Sequence, residues 1–359
     1  MIIRKAGDLA PLSISMQLKT TIRQVSLRHT FRISRNAQDI VQVVDVEVSH
    51  NGITGLGEAA PSARYGEDAV TARKSLEQLD LSSRSPLERT ELFGDLDDYF
   101  KGQRAAQAAL DMALWDWIGK KTVMPVYALL GLDPRKVPVT SFTIGIDDAE
   151  VMRQKIREAE HYPLLKIKLG GGHDKETIEI VRSETDKPIQ VDVNEAWERH
   201  EAVDKIKWLE KQNVILVEQP LPADDIEGTA WVRERVELPI FADESVRRLC
   251  DVPECTVAFD GINIKLMKCG GPTEAIRMIH TARALGLKVM LGCMIETSLG
   301  ISAAAHLAPL VDTVDLDGHL LIQDDPYQGL GFEDGRIVLP NRPGLGVFQE
   351  PEMSGSQGS

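Results

Sequence analysis

Eight short β-branched runs recur across residues 138–318, separated by amphipathic helical segments. They read PVTSFTIGI, LLKIKL, PIQVDV, VILVEQP, PIFADES, GINIKLM, KVMLGCM and TVDLDG. From the second run on, Lys168, Asp192, Glu218, Asp243, Lys265, Gly292 and Asp315 mark equivalent places, at intervals of 24, 26, 25, 22, 27 and 23 residues. Each interval holds one strand and one helix, and a strand that follows a crossover helix pairs in parallel with its predecessor. Eight such units at so even a spacing close into a barrel. An open doubly wound sheet is the alternative, and it does not usually show eight evenly spaced strands.

The stretch before the barrel is of another kind. Residues 13–60 hold two extended stretches, SISMQLKTTIRQVSL and DIVQVVDVEVSHNGITGLGE, with a turn expected at Asn51-Gly52. Over residues 67–130 the apolar period becomes helical, in AVTARKSLEQL, LERTELFGDLDDYF and AAQAALDMALWDWIGKK. This is an α+β unit. The pair Glu67-Asp68 reads as a solvated helix start.

Charge collects at the C-terminal ends of the barrel strands, where barrel active sites form. Lys166 and Lys168 end the second strand and share one face, since strand side chains alternate. Asp192, Glu218 and Asp243 end the third, fourth and fifth strands; Lys265 ends the sixth; Asp315 and Asp317 end the eighth. One such residue is commonly a helix cap. A coherent ring on six strands is not explained that way, nor by lysines snorkelling from an edge strand.

In an eight-stranded ring the second and sixth strands face each other, so Lys168 and Lys265 approach the centre from opposite sides. The three carboxylates fill the arc between them and would repel strongly without a cation. Hard oxygen ligands suit Mg²⁺ or Mn²⁺. No His lies among them, which argues against zinc. Such an ion can bind a substrate carboxylate and offset the charge that forms when the α-proton leaves. Two lysines on opposite faces of that carbon can remove a proton from one side and return one from the other. Burial and the neighbouring Lys166 charge are expected to lower the pKa of the base, Lys168.

The formal net charge of −14 disfavours nucleic acid or an anionic membrane as partner. The four cysteines form no C-x-x-C pair and read as reduced core residues. The N-terminal residues carry no apolar signal segment, and no stretch reaches ~18 apolar residues. A cytoplasmic protein, monomeric or a homo-oligomer, is expected.

K-I-K (166–168), V-D-V-N (191–194), V-E-Q-P (217–220), A-D-E-S (242–245) and N-I-K-L-M-K-C-G-G (263–271) together resemble the enolase superfamily, and more closely its muconate-lactonizing subgroup. The resemblance runs from residue 20 to residue 347. It implies an N-terminal α+β capping domain, here 1–130, and an α/β fold of the (β/α)7β TIM-like barrel type, here 131–324. Residues 325–350 are expected to pack back on the cap, and 351–359 to form a disordered tail. It also implies Mg²⁺ on Asp192, Glu218 and Asp243, with Lys168 and Lys265 as paired acid and base. Asn194 and Glu244 are expected just behind the ligands.

Within the subgroup the end of the eighth strand separates reactions. D-L-D-G (315–318) resembles the D-x-D of dipeptide epimerases, which binds the substrate α-ammonium, and G-C-M-I-E-T-S (292–298) is similar to the same group. Glu296 is accordingly a candidate near the substrate, and His319 could border the pocket. Muconate cycloisomerases and o-succinylbenzoate synthases handle dianions, which an acidic pair would repel. They, N-acylamino acid racemases and a catalytically silent ligand-binding barrel are the alternatives. Epimerases for L-Ala-D/L-Glu resemble one another in a cap-loop arginine that pairs with the glutamate side chain. The matching position here is Gln38, with Arg32 and Arg35 as the nearest substitutes, so the expected second residue is not acidic.

Overall fold

The structure is a computed structural model that describes residues 15–33 and 36–349. Three antiparallel strands come first, β1 (Gln17–Ile33), β2 (Asn36–His50) and β3 (Ile53–Ala59), paired in that order. Asn51 and Gly52 turn β2 into β3 with φ of 50° and 75°, the left-handed pair that matches the twist of a tight hairpin. The helix Arg104–Thr122 lies on this sheet. It comes close because β3 has no Cβ at two contact points: a methyl on Gly55 or Gly57 would sit 2.0 Å from Ala113 O or Ala109 O. Its other side meets the short helix Leu266–Cys269 of the next unit, so it is buried nearly all round.

The second unit is the barrel. Strands β4 (Phe142–Ile144), β5 (Leu165–Lys168), β6 (Ile189–Asp192), β7 (Val214–Glu218), β8 (Ile240–Ala242), β9 (Gly261–Lys265), β10 (Lys288–Gly292) and β11 (Thr313–Asp315) lie side by side in chain order, all parallel. Parallel strands are covered on both faces, which is why they appear in the sequence as continuous apolar runs. β11 meets β4 through the bridge Thr140–Val314, where Ser141 N–H donates to Val314 O at 3.3 Å. Helices follow β4 to β10, whereas β11 runs into a single 3₁₀ turn, Gly318–Leu321.

Register puts the charged residues in one layer. Lys168 pairs with Asp192 and Asp192 with Glu218; on the other side Lys265 pairs with Gly292 and Gly292 with Asp315. The chain after the barrel returns to the cap helix. Val126 N–H donates to Gly344 O at 3.0 Å, and Leu345 N–H to Asp116 Oδ1 at 2.8 Å. Residues 351–359, expected to form a tail, lie outside the described residues. Among the described residues no helix is long and apolar enough to cross a membrane.

Candidate active site

Asp192, Glu218 and Asp243 bring one oxygen each to within 4.8 Å of one another, all buried. Lysines balance their charge. Lys166 Nζ lies 3.1 Å from Asp192, 2.8 Å from Glu218 and 2.7 Å from Asp315. Lys168 Nζ reaches the same Asp192 oxygen at 2.6 Å, and Lys265 Nζ reaches Asp243 at 2.8 Å. Lys268, which no strand-end position marks in the sequence, also pairs with Asp243 and donates to Asn263 O at 3.1 Å.

Burial resists charge on Asp192 and Asp243, but the lysines beside them win and hold both below the usual carboxylate range. Burial, with Asp192 alongside, pushes Glu218 up to about 7. Glu218 Oε2 accepts no hydrogen bond of proper geometry, although Lys166 lies beside it, while Oε1 accepts from Asn263 Nδ2 at 2.9 Å. A buried, all-oxygen cluster with an under-used oxygen fits a small hard divalent cation.

Lys168 and Lys265 stand on β5 and β9, four strands apart, and line one cavity of about 880 Å³. Burial opposes the Lys265 charge, but Asp243 outweighs it, so its pKa is raised rather than lowered. Lys166 is likewise held charged against its burial, by Asp192, Asp315 and Glu218.

Asp315 and Asp317 line the same cavity and are not equivalent. Asp315 accepts from Ser141 Oγ and from Lys166 Nζ, both at 2.7 Å, and its pKa is lowered because this pairing outweighs burial. Asp317 has no ion-pair partner among the described residues; it accepts from Thr143 N–H at 2.6 Å. Burial and the neighbouring Asp315 push it up to about 7. The cavity thus has one acidic wall left for an incoming cation.

The remaining sequence candidates divide. Asn194 accepts from Lys168 Nζ at 3.4 Å and donates to Glu244 at 3.3 Å, and both line the cavity. Gln38 lines it from the cap, opposite Phe31 in the β1–β2 register. Arg35 lies outside the described residues. Glu296 points away from the cavity, with Oε1 accepting from Met294 N–H at 2.8 Å. Its other oxygen has no hydrogen bond, and it lies near buried Glu58, which binds Thr297 N–H at 3.0 Å. His319 is buried beside the cavity wall rather than in it.

Glu67 is buried instead of solvated, because its carboxylate caps the helix Arg104–Thr122, taking Arg104 N–H at 2.8 Å and Ala105 N–H at 3.0 Å. The cysteines are all free, but only Cys255 and Cys269 are core; Cys250 is exposed and Cys293 faces the cavity. Tyr65 and Arg64, also on the cavity wall, carried no signal in the sequence beyond lying in a loop.

Burial raises the Glu296 carboxyl from 4.5 to about 7. Its folded-state pKa therefore exceeds the unfolded one, and stability is lost as pH rises between those values. By pH 8 the loss is on the order of 3 kcal/mol. Glu296→Gln keeps an acceptor for Met294 N–H and cannot ionise. It is expected to raise the melting temperature at pH 8 and much less at pH 5; equal shifts at both would show that the carboxyl is not held neutral.

Residues 16–131 match the mandelate racemase/muconate lactonizing enzyme N-terminal domain family, and residues 148–352 match the enolase C-terminal domain-like family. The chain is 43% identical over 356 residues to the L-Ala-D/L-Glu epimerase of Bacteroides thetaiotaomicron, across 96% of this chain and 93% of that one. It is 40% identical to the L-Ala-D/L-amino acid epimerase of Pedosphaera parvula, across 91% of this chain and 97% of that one. Among solved structures, the dipeptide epimerase from Cytophaga hutchinsonii complexed with Mg and D-Ala-L-Val superposes with a TM-score of 0.89 at 27% identity, covering 95% of this chain and 97% of that one. With both domain families matched in order and a carboxylate triad between facing lysines, the chain belongs to the enolase superfamily, in its mandelate racemase/muconate lactonizing branch.

Proposed function

We propose that this protein is a Mg²⁺-dependent dipeptide epimerase that inverts the α-carbon of the C-terminal residue by two-base 1,1-proton transfer. One observation carries the reading: Lys168 and Lys265 enter one cavity from opposite strands, with the triad between them and Asp315 and Asp317 on its wall. Asp192, Glu218 and Asp243 would hold Mg²⁺ (or Mn²⁺), which would supply positive charge for the substrate carboxylate and for the charge that develops when the α-proton leaves. One lysine, as the amine, then takes the α-proton from its side. The other, as the ammonium, delivers a proton to the opposite face, and the roles exchange for the other epimer. Lys166 keeps the Asp315 charge balanced, which leaves Asp317 for the α-ammonium. The acidic wall disfavours the dianions of cycloisomerases and o-succinylbenzoate synthases, and the paired lysines disfavour a silent barrel. The free thiols support a reducing, cytoplasmic setting.

The test is a dipeptide pool in D₂O with Mg²⁺, followed by mass spectrometry and chiral analysis. Deuterium at the C-terminal α-carbon and growth of both epimers are expected. Chelation should abolish both, and Mg²⁺ should restore them. Full turnover in a verified metal-free sample, or no exchange with Mg²⁺ present, would remove the proposal.

The cap suggests a second residue that is not acidic. The described residues lining the cavity from β1 and β2 are Phe31, Ile33, Ile40 and Val41 with Gln24, Gln38 and Gln42. Among the described residues the arginine on the cavity wall is Arg64, from the loop after β3, and it already makes a two-point contact with Glu195 at 2.9 and 2.8 Å. Arg32 lies 3.7 Å from Asp147. A neutral amide gives a hydrogen bond without the charge and fork that a carboxylate favours. L-Ala-L-Gln and L-Ala-L-Leu are expected to match or exceed L-Ala-L-Glu in kcat/KM. A preference for Glu of tenfold, about 1.4 kcal/mol, would refute this and point to Arg32 or Arg35.

A further inference from the structure

Gln219 follows Glu218 and takes no part in the chemistry above. We infer that its side chain is the positioning element that ties the Asp243 loop to the Glu218 loop at the spacing a divalent cation requires, an inference that rests on the metal reading of the triad. The residue is fully buried, and its φ of 38° lies in the left-handed region that favours glycine. A side chain kept at such a position is expected to return something for the strain.

What it returns is a complete set of hydrogen bonds. Oε1 accepts from Asp243 N–H at 2.9 Å and from Ser245 N–H at 3.1 Å. Nε2 donates to Leu221 O at 3.0 Å and to Ser245 Oγ at 2.8 Å. All four places on the amide are thus used. Ser245 Oγ in turn donates to Ala223 O at 2.9 Å. The backbone adds two links: Gln219 N–H donates to Phe241 O, and Glu195 N–H donates to Gln219 O, both at 2.9 Å.

The side-chain bonds join two loops, and the backbone bond from Glu195 N–H adds a third. One follows β6 and starts from Asp192, one is Gln219's own and starts from Glu218, and one contains Asp243. Carboxylates crowded within 4.8 Å push apart, so their backbones need a restraint that is not itself charged. A neutral amide fits that need. A carboxylate there would add a negative group behind the triad and present an acceptor to Leu221 O.

The experiment measures the Mg²⁺ dissociation constant by isothermal titration for the wild type, Gln219→Gly, Gln219→Met and Ser245→Ala. Folding is checked by circular dichroism and melting in EDTA. Gln219→Gly accepts the backbone angle and loses the whole side chain, whereas Gln219→Met keeps a chain of similar length and the strained angle but loses the amide, so the pair separates the two contributions. Both Gln219 variants are expected to weaken Mg²⁺ binding ~10–100-fold, the usual effect of removing a partner that orients metal ligands. Ser245→Ala should weaken it by a smaller factor. Saturating Mg²⁺ should return kcat toward the wild-type value, whereas a partly misfolded sample would keep a low kcat and an unchanged Mg²⁺ constant. Mg²⁺ affinity within about twofold of wild type in a folded Gln219 variant overturns the inference. If neither variant folds, unchanged affinity in Ser245→Ala overturns it. A wild type that binds no Mg²⁺ removes the metal reading instead.

Discussion

Lys168→Ala is expected to stop epimerisation while leaving one epimer able to exchange its α-proton with solvent through Lys265. Lys265→Ala should do the reverse and exchange the other epimer. The two ammonium groups sit on β5 and β9, four strands apart in the ring, so each reaches one face of a carbon held between them. Inversion needs both faces, whereas exchange needs only one. The loss of epimerisation should be at least ~10²–10⁴-fold, the usual contribution of a positioned acid or base. Neither substitution strips its carboxylate of all counter-charge, because Asp192 keeps Lys166 at 3.1 Å and Asp243 keeps Lys268. A collapsed metal site is therefore not the expected cause of the loss. Deuterium uptake by each pure epimer, read by mass spectrometry, checks the prediction. Near-normal epimerisation in both variants would dismiss the two-base assignment, and loss of exchange with both epimers in one variant, with both retained in the other, would point to a one-base mechanism.

The barrel could be read from the sequence because parallel strands are buried on both faces and leave unbroken apolar runs at a regular interval. The lysines and the triad were readable for the same reason: the Lys166 and Lys168 pair, or Asp192, stands out at the end of an otherwise apolar run. Partners were harder to read. Glu67 looked like a solvated helix start because the N–H groups that bury it belong to Arg104 and Ala105, far along the chain. Glu296 looked like a substrate contact because its strand end was right. Its direction is set by Met294 N–H in its own loop, which turns the carboxyl away from the cavity and beside Glu58 of the cap. Lys268 stood inside a quoted motif without a role, since only the helical turn after β9 brings its ammonium back onto Asp243. Gln219 was hidden in the same way, because a buried amide has no charge to mark it. Periodicity gives position along an element; it does not give the partner across space.

Asp317→Asn should lower kcat/KM for dipeptides by about 1.5–3 kcal/mol, or roughly 10–150-fold, the value of a hydrogen bond to a charged group. The substitution nearly preserves shape, and an asparagine oxygen can still accept from Thr143 N–H, so the barrel should be undisturbed. Asp315→Asn is a less clean test, because Asp315 also holds Lys166, and releasing that ammonium would alter the triad at 3.1 Å and 2.8 Å from it. Burial and Asp315 hold the free Asp317 carboxyl near 7. Only its ionised form attracts an ammonium, so wild-type kcat/KM should fall as pH drops below that value, and this limb should be missing in Asp317→Asn. N-acetylated dipeptides lack the ammonium and should be poor substrates for the wild type, with little further loss in the variant. That pattern assigns the contact to the α-amino group rather than to general stability. If acetylation leaves turnover unchanged in the wild type, Asp317 does not read an ammonium, and the substrate is an N-acyl amino acid.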